Sequence, residues 1–341
     1  MIGFGLSDEQ KALQELAKDF TENEIIPKAA HYDESAEYPW DIVKKAHEVG
    51  LMNLHVPEDF GGLGLGLLDS VIIAEELARG CTGISTAMEG NALASAPVLV
   101  AANDDQKKRF LTPLTEEPIM AAYCVTEPAA GSDVAGIKSF AEKKGDEYIL
   151  SGEKMWITNA SVANWYFVLA YTDREAGHRG LTGFLVDAKS EGVQVGKKEN
   201  NMGQRCSDTR GIRFEEVRIP KENVLGAEGQ GFKIAMKAFD ITRPEVAMLG
   251  VGLARAALEH CVRYSKERQT FGRPIAQHQT IAFMMADMAK NIEAGRLLAY
   301  RAAWAFDQGE RNSYYASVAK CFNADMAMEA AVNAVQIYGG Y

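Results

Sequence analysis

The sequence predicts an α+β protein, with an N-terminal helical domain (residues 1–120), a central antiparallel β-domain (121–226) and a C-terminal helical bundle (227–341). Three observations carry this. Leu13, Leu16, Ala17 and Phe20 recur at helical spacing behind Ser7. Between about residues 148 and 214, short β-branched and aromatic runs follow one another with no helix between them. Further on, Ile281, Met284, Met285, Met288 and Ile292 form an apolar stripe at three- and four-residue spacing.

Ser7-Asp8-Glu9-Gln10 is a Ser-x-x-Gln capping box with acidic residues where a helix N-terminus favours them. Pro39 to Gly50 and Leu67 to Gly80 read as further helices with glycine stops. Between them, Gly61-Gly62-Leu63-Gly64-Leu65-Gly66 is glycine-rich but lacks the spacing of a phosphate loop, and it reads as turns. Tyr148–Leu150, Met155–Thr158, Trp165–Ala170, Gly183–Val186 and Gly211–Phe214 read as strands, separated by turn signals such as Lys144-Gly145-Asp146 and Ser151-Gly152-Glu153. Asp240 to Pro244 reads as a helix start, with Pro244 at an early position and Glu245 in the first turn as a surface or capping residue. Arg296 to Phe306 and Tyr314 to Ile337 extend the C-terminal helical pattern. Methionines on such a stripe serve as adaptable core packing.

Composition narrows the function. At 341 residues the chain buries a substantial core, and a net charge of −11 opposes a nucleic-acid surface. No run approaches the roughly 20 apolar residues needed to cross a bilayer. The start, from Met1 to Glu9, has no leader character, so the chain is expected to stay where it is made or to have lost a targeting peptide. Five scattered cysteines without Cys-x-x-Cys fit thiols in a reducing compartment. Six histidines form no ligand pair, so no metal is expected.

Two segments carry the chemistry. They are Tyr123-Cys124-Val125-Thr126-Glu127-Pro128, running on to Gly131-Ser132-Asp133, and Met155-Trp156-Ile157-Thr158-Asn159. A flavin needs donors near the atom that receives hydride and along its pyrimidine edge, and a wall against solvent. Thr126 and Thr158 can donate from backbone and hydroxyl, and Trp156 can supply the wall.

In sequence and spacing these segments resemble the flavin-binding strands of the acyl-CoA dehydrogenases, closest to the medium-chain branch, and the similarity runs from about Phe4 to Tyr341. The resemblance implies FAD held by Tyr123, Val125, Thr126, Gly131, Ser132, Trp156, Ile157 and Thr158, with Ser132 also near the CoA part of the substrate. It implies that Arg268, Thr270 and Phe271, with His278 and Gln279, reach the flavin pyrophosphate of a neighbouring subunit. A guanidinium fork suits pyrophosphate because two N–H groups address two oxygens at once. Gln336, Gly339 and Gly340 resemble a further clamp on the cofactor. Asp240, Thr242 and Arg243 resemble the lining of the acyl-CoA cleft, and Glu89 matches a glutamate near the blind end of the acyl tunnel.

The activity this resemblance implies is FAD-dependent oxidation of an acyl-CoA to the trans-2-enoyl-CoA in fatty-acid β-oxidation, with electrons passed to electron-transfer flavoprotein by a homotetramer. An oxidase using oxygen, or a noncatalytic acyl-CoA- or flavin-binding homologue, stands as the alternative. The glutamate that takes the α-proton in the medium-chain branch is expected beyond Tyr341, so the end of the chain reads as incomplete and no catalytic base is named. Some relatives place that glutamate where this sequence has Thr242, which cannot act as a carboxylate base. The expected compartment is the cytoplasm of a bacterium or the matrix of a mitochondrion.

Overall fold

The structure, a computed structural model, describes residues 5–341. Met1–Phe4, on which the reading of the N-terminus and the start of the resemblance at Phe4 rest in part, lie outside the described residues. In chain order the first helices are α1 (Asp8–Phe20), α2 (Ile26–Ser35), α3 (Trp40–Glu48), α4 (Leu67–Gly80), α5 (Thr82–Ala101), α6 (Asp104–Phe110) and α7 (Thr112–Glu116). The strands follow as β1 (Met120–Cys124), β2 (Phe140–Lys144), β3 (Glu147–Thr158), β4 (Ala163–Tyr171), β5 (Leu181–Asp187), β6 (Val193–Lys198), β7 (Thr209–Pro220) and β8 (Val224–Leu225). After helix α8 (Gly231–Glu267) come the short strands β9 (Gln269–Thr270) and β10 (Arg273–Pro274), then α9 (Gln279–Asp307) and α10 (Ser313–Tyr338).

The chain separates into two compact units built from discontinuous segments. One gathers the residues up to Ala30 with Gly66–Ser85 and Arg243–Tyr341; the other gathers His31–Leu65 and Thr86–Thr242. Helices α2, α5 and α8 each contribute to both.

The second unit is organised by one eight-stranded sheet in the order β6-β7-β3-β2-β4-β5-β8, with β1 beside β4. Pairing is antiparallel except that β1 and β2 run parallel to β4. Alternation along the strands buries Leu150, Ile157, Tyr166, Val168, Phe184 and Phe214 in one continuous core. One reading of the sequence is corrected here. Ser151-Gly152-Glu153 is no turn; it lies inside β3, where the register with β7 slips between Leu150 and Gly152. A bulge needs the same small residue as a turn, and an added Cβ at Gly152 would run into Ser139.

The first unit is a helical assembly. The Ser7 capping box forms as read, with Gln10 N donating to Ser7 Oγ at 3.1 Å. The α4 N-terminus is capped from outside its own sequence: Asp307, the last residue of α9, accepts from the N–H groups of Leu67 and Leu68 at 2.7 and 2.8 Å. Buried Glu75 is held by Arg296 through two bonds of 2.8 Å, and buried Glu76 by Arg255 at 2.7 Å. Asn323 joins three helices, its amide donating to the carbonyls of Ala247 and Gly295 at 3.0 and 3.2 Å. The stripe on α9 faces inward as expected, with Met288 and Ile292 buried.

Candidate functional site

The two motif segments meet at the end of β3. Thr126 was expected on a strand, but β1 stops at Cys124, so Thr126 begins the loop that leads to Gly131 and Ser132. Met155 N–H donates to Thr126 O at 2.9 Å and brings that loop alongside the backbone that carries Trp156. Neither the N–H nor the hydroxyl of Thr126 has a protein partner among the described residues. Thr158 closes β3, paired in register with Thr209. Val125 and Ile157 are buried, Thr126 and Thr158 half-buried, and Gly131 and Ser132 exposed.

Trp156 has a left-handed backbone, with φ +63°, at the point where the β3–β7 register slips a second time. Its indole is 56% exposed. For a bulky residue this conformation costs about 1–2 kcal/mol, and a core tryptophan would not be displayed this way. Tyr123 stacks on Phe167, with centroids 5.1 Å apart, and packs against Phe239. Its hydroxyl is buried without a partner among the described residues. Burial pushes the phenol well above its ordinary pKa, so it stays a protonated donor.

Beneath these residues lies a buried ion pair that no motif announced. Lys154, wholly buried in β3, donates to Glu127 Oε1 at 2.9 Å and to Val125 O at 3.1 Å. Glu127 also accepts from the N–H groups of Lys138 and Ser139 at 2.6 and 2.9 Å, and from Ser139 Oγ at 2.6 Å. Burial pushes the Glu127 carboxyl up, yet Lys154, the Ser139 hydroxyl and the Lys138 N–H together hold it below the usual glutamate range. The sequence offered only Glu127 within the first motif and Lys154 just ahead of the second, with nothing local to pair them.

Asn159, the residue after Thr158, was also missed as a structural anchor. It has φ +62°, is fully buried, and donates to Ala87 O of α5 at 2.9 Å. Gly90, on the same helix, lies so close that a Cβ there would overlap the Asn159 amide nitrogen. Glu89, the residue before Gly90, is half-buried in the interior of α5.

Two expectations about α8 are overturned. The helix begins at Gly231 rather than near Asp240, because Ile234, Ala235, Ala238 and Ile241 already give it a buried face. Pro244 sits in its interior, where it removes the N–H that would bond the Asp240 carbonyl. Glu245 is neither a cap nor a surface residue. It is buried at 4% exposure and accepts a hydrogen bond from Ser70 of α4. Asp240 is half-buried, and Thr242 is buried with its hydroxyl donating to Ala238 O at 3.1 Å. Arg243, half-buried, opens the stretch of α8 that belongs to the other unit.

That unit holds the remaining candidates. Strands β9 and β10 form a hairpin with Phe271 and Gly272 at its tip, both at positive φ, as a tight two-residue turn requires. Phe271 is 97% exposed. Thr270 Oγ1 and His278 Nε2 lie 2.9 Å apart, and Arg273 reaches His278 Nδ1 at 3.2 Å, so His278 fastens the hairpin to the start of α9 at Gln279. Gln336 is exposed on the last turn of α10, and Gly339 ends that helix at φ +69°. Tyr264 and Tyr338 stack at 4.2 Å, and the Arg268 guanidinium lies 5.9 Å from the Tyr341 ring. The hairpin and the end of α10 are thus neighbours.

The donor set fits a flavin ring: a protonated phenol, an uncommitted threonine, a displayed indole and apolar packing from Val125 and Ile157. Among the described residues no group of His, Cys, Asp and Glu could hold a metal ion, and no helix is long and apolar enough to cross a membrane.

Comparison with known proteins follows the same lines. Residues 7–118, 122–217 and 229–341 match the N-terminal, middle and C-terminal domains of acyl-CoA dehydrogenase. The chain is 50% identical over 319 residues to a probable medium-chain specific acyl-CoA dehydrogenase 2, mitochondrial, of Caenorhabditis briggsae, covering 93% of this chain and 78% of that protein. Butyryl-CoA dehydrogenase from Megasphaera elsdenii superposes with a TM-score of 0.97 at 37% identity, over 100% of this chain and 90% of that one. PigA with FAD and proline gives 0.95 at 29% identity, over 99% and 89%.

Proposed function

We propose, from the premise that this chain belongs to the acyl-CoA dehydrogenase family, that its substrate is a medium-chain acyl-CoA and its electron acceptor an electron-transfer flavoprotein. The chain is an oxidoreductase of that FAD-dependent family. Bound FAD supplies the two-electron acceptor for the substrate's β-hydrogen.

The protein's own part is to bind, orient and exclude water. Trp156 carries the reading: a strained backbone that displays a large aromatic is expected where a ring must be walled from solvent. Thr126 and Thr158 are assigned as donors to the flavin edge. Val125 and Ile157 are its apolar bed, the Tyr123 phenol a further donor, and Gly131 and Ser132 the lip on the CoA side. Asp240, Thr242 and Arg243 are assigned to the acyl-CoA cleft. The Thr242 hydroxyl is bonded within its own helix and gives shape rather than proton chemistry. Neither it nor Glu245, which is held by Ser70, is assigned the α-proton.

Glu89 supports the chain-length assignment. A carboxylate half-buried in α5 stops an acyl chain that would otherwise press methylenes against it. Arg268, Thr270, Phe271, His278, Gln279, Gln336, Gly339 and Gly340 are assigned to FAD bound by another copy, within a homotetramer. The exposed Phe271, and Met328, Val332 and Val335 at helical spacing on α10, support such a partner surface. The working compartment is the bacterial cytoplasm or the mitochondrial matrix.

The test is anaerobic titration of the FAD-loaded protein with butyryl-, octanoyl- and palmitoyl-CoA. Octanoyl-CoA bleaches the visible flavin band fastest, and the electrons then reduce electron-transfer flavoprotein. A protein that takes up no FAD sinks the reading; a flavin that dithionite reduces but all three substrates leave oxidised redirects it to a noncatalytic acyl-CoA- or flavin-binding homologue, and peroxide formed in air during turnover redirects it to an oxidase.

A further inference from the structure

The Lys154–Glu127 pair has no part in the reaction as assigned, yet it sits directly behind the flavin segments. Three consecutive residues of one segment are tied to two consecutive residues of the other. Lys154 holds Val125 O and the Glu127 carboxylate, and Met155 N–H holds Thr126 O. Glu127 is fixed in turn by Lys138 and Ser139, and its backbone exchanges two 3.0 Å bonds with Ala130. The loop between Val125 and Ser139 is thereby closed on Glu127, which Lys154 ties to β3.

A buried ion pair is seldom a net source of stability compared with apolar side chains of the same size. It does impose a geometry, because two charged groups with fixed partners tolerate few arrangements. Here the geometry has a direct consequence. The carbonyls of Val125 and Thr126 are both engaged by β3, so the segment is left to face a ligand with donors, the N–H and hydroxyl of Thr126. Trp156 lies two residues beyond Lys154 on the same strand, so one side chain sets the spacing between the threonine and the indole.

We propose that the buried Lys154–Glu127 pair is the positioning element of the flavin site, locking the Val125–Glu127 segment to β3 so that Thr126 addresses the edge and Trp156 the face of one isoalloxazine ring. This rests on the FAD-binding reading above. Lys154 is a positioning residue; it acts through Val125, Thr126 and Glu127.

Lys154→Met is the direct test, since Glu127 keeps three donors and the apolar side chain fills the same space. The purified variant retains the far-UV circular dichroism of the parent. Its apoprotein binds FAD about tenfold more weakly in a fluorescence titration, and the visible circular dichroism of the bound flavin changes. Ser139→Ala, which removes one donor from Glu127 and leaves the ion pair in place, moves both readouts in the same direction by about threefold. That variant carries the test if Lys154→Met does not fold. Ile219→Val, in the core of the same sheet, lowers thermal stability and leaves both flavin readouts at the parental values. FAD affinity and flavin dichroism unchanged in Lys154→Met, or in Ser139→Ala should it alone fold, overturn the proposal and leave the FAD reading intact. Equal flavin changes in Ile219→Val also overturn it, because general loosening then explains them. A parent protein that binds no FAD sinks both.

Discussion

Asn159 holds the end of β3 to helix α5: its side-chain amide donates to Ala87 O at 2.9 Å, while its backbone N–H donates to Asp208 O at 2.7 Å. The contact is possible because Gly90 presents no side chain there. The strand end that carries Trp156 and Thr158 is thus referenced to the helix that carries Glu89. Glycine in a helix interior ordinarily costs about 1 kcal/mol relative to alanine, so Gly90→Ala would stabilise an unconstrained helix. Here the added methyl meets a buried amide nitrogen that is bonded to Ala87 O, and overpacking of this kind costs about 1–3 kcal/mol. Gly90→Ala is therefore expected to lower the midpoint of chemical unfolding and to weaken FAD binding together. An unfolding midpoint at or above that of the parent refutes it.

Trp156 contributes to the apoprotein and to FAD binding by separate routes. Replacing it with glycine removes the left-handed strain but also the buried, lesser part of the indole's surface, while adding chain entropy to the unfolded state. The two backbone effects oppose each other, and the lost packing lowers apoprotein stability by about 2 kcal/mol. FAD affinity falls about tenfold with the lost aromatic wall, and bound flavin fluoresces more strongly as water reaches it. Calorimetry of the apoprotein with a parallel FAD titration checks both halves. Unchanged FAD affinity shows that the exposed indole has some other use.

Trp156 and the two threonines stand out in the sequence because they sit in short aromatic and hydroxyl-bearing segments, and their assignment to a flavin is a proposal that the FAD titrations test. The helix over Leu67–Gly80 was equally plain, since its apolar spacing and its glycine stop agree. The start of α8 was not. Pro244 and the nearby charges imitate an N-terminus, and only burial of Ile234, Ala238 and Glu245 reveals a helix already three turns old. The Lys154–Glu127 pair was hidden for another reason: its members are 27 residues apart and carry charges that composition assigns to the surface. Tertiary pairing, not local propensity, decides such positions. Ser151-Gly152-Glu153 misled because a bulge and a turn ask for the same small residue.

Glu89 controls substrate length in the proposed reading, so Glu89→Leu is expected to relax it. Removing the carboxylate lets additional methylenes pack where a polar group had to be kept solvated or paired. The ratio of kcat/KM for palmitoyl-CoA to that for octanoyl-CoA rises about tenfold, equivalent to about 1.4 kcal/mol. Steady-state kinetics with both substrates measures it. A ratio identical to the parent's removes Glu89 from the tunnel.

Glu127 gives the β-domain an acid-sensitive joint. Its carboxyl is held below the ordinary value of about 4.3 in the folded protein, because Lys154, Ser139 and the Lys138 N–H outweigh burial. The folded state therefore binds this proton less readily than the unfolded chain does. The stabilisation is fully present above the ordinary value and is lost as pH falls through the lower folded value. Glu127→Gln removes the charge and leaves Lys154 buried without its counter-ion, at a cost of about 3 kcal/mol near neutrality. Urea unfolding of parent and variant should show that gap at pH 7 and its narrowing below about pH 4 as the parent's carboxylate protonates. A gap that stays constant to the acid limit of folding would mean that Glu127 is not held as an ion.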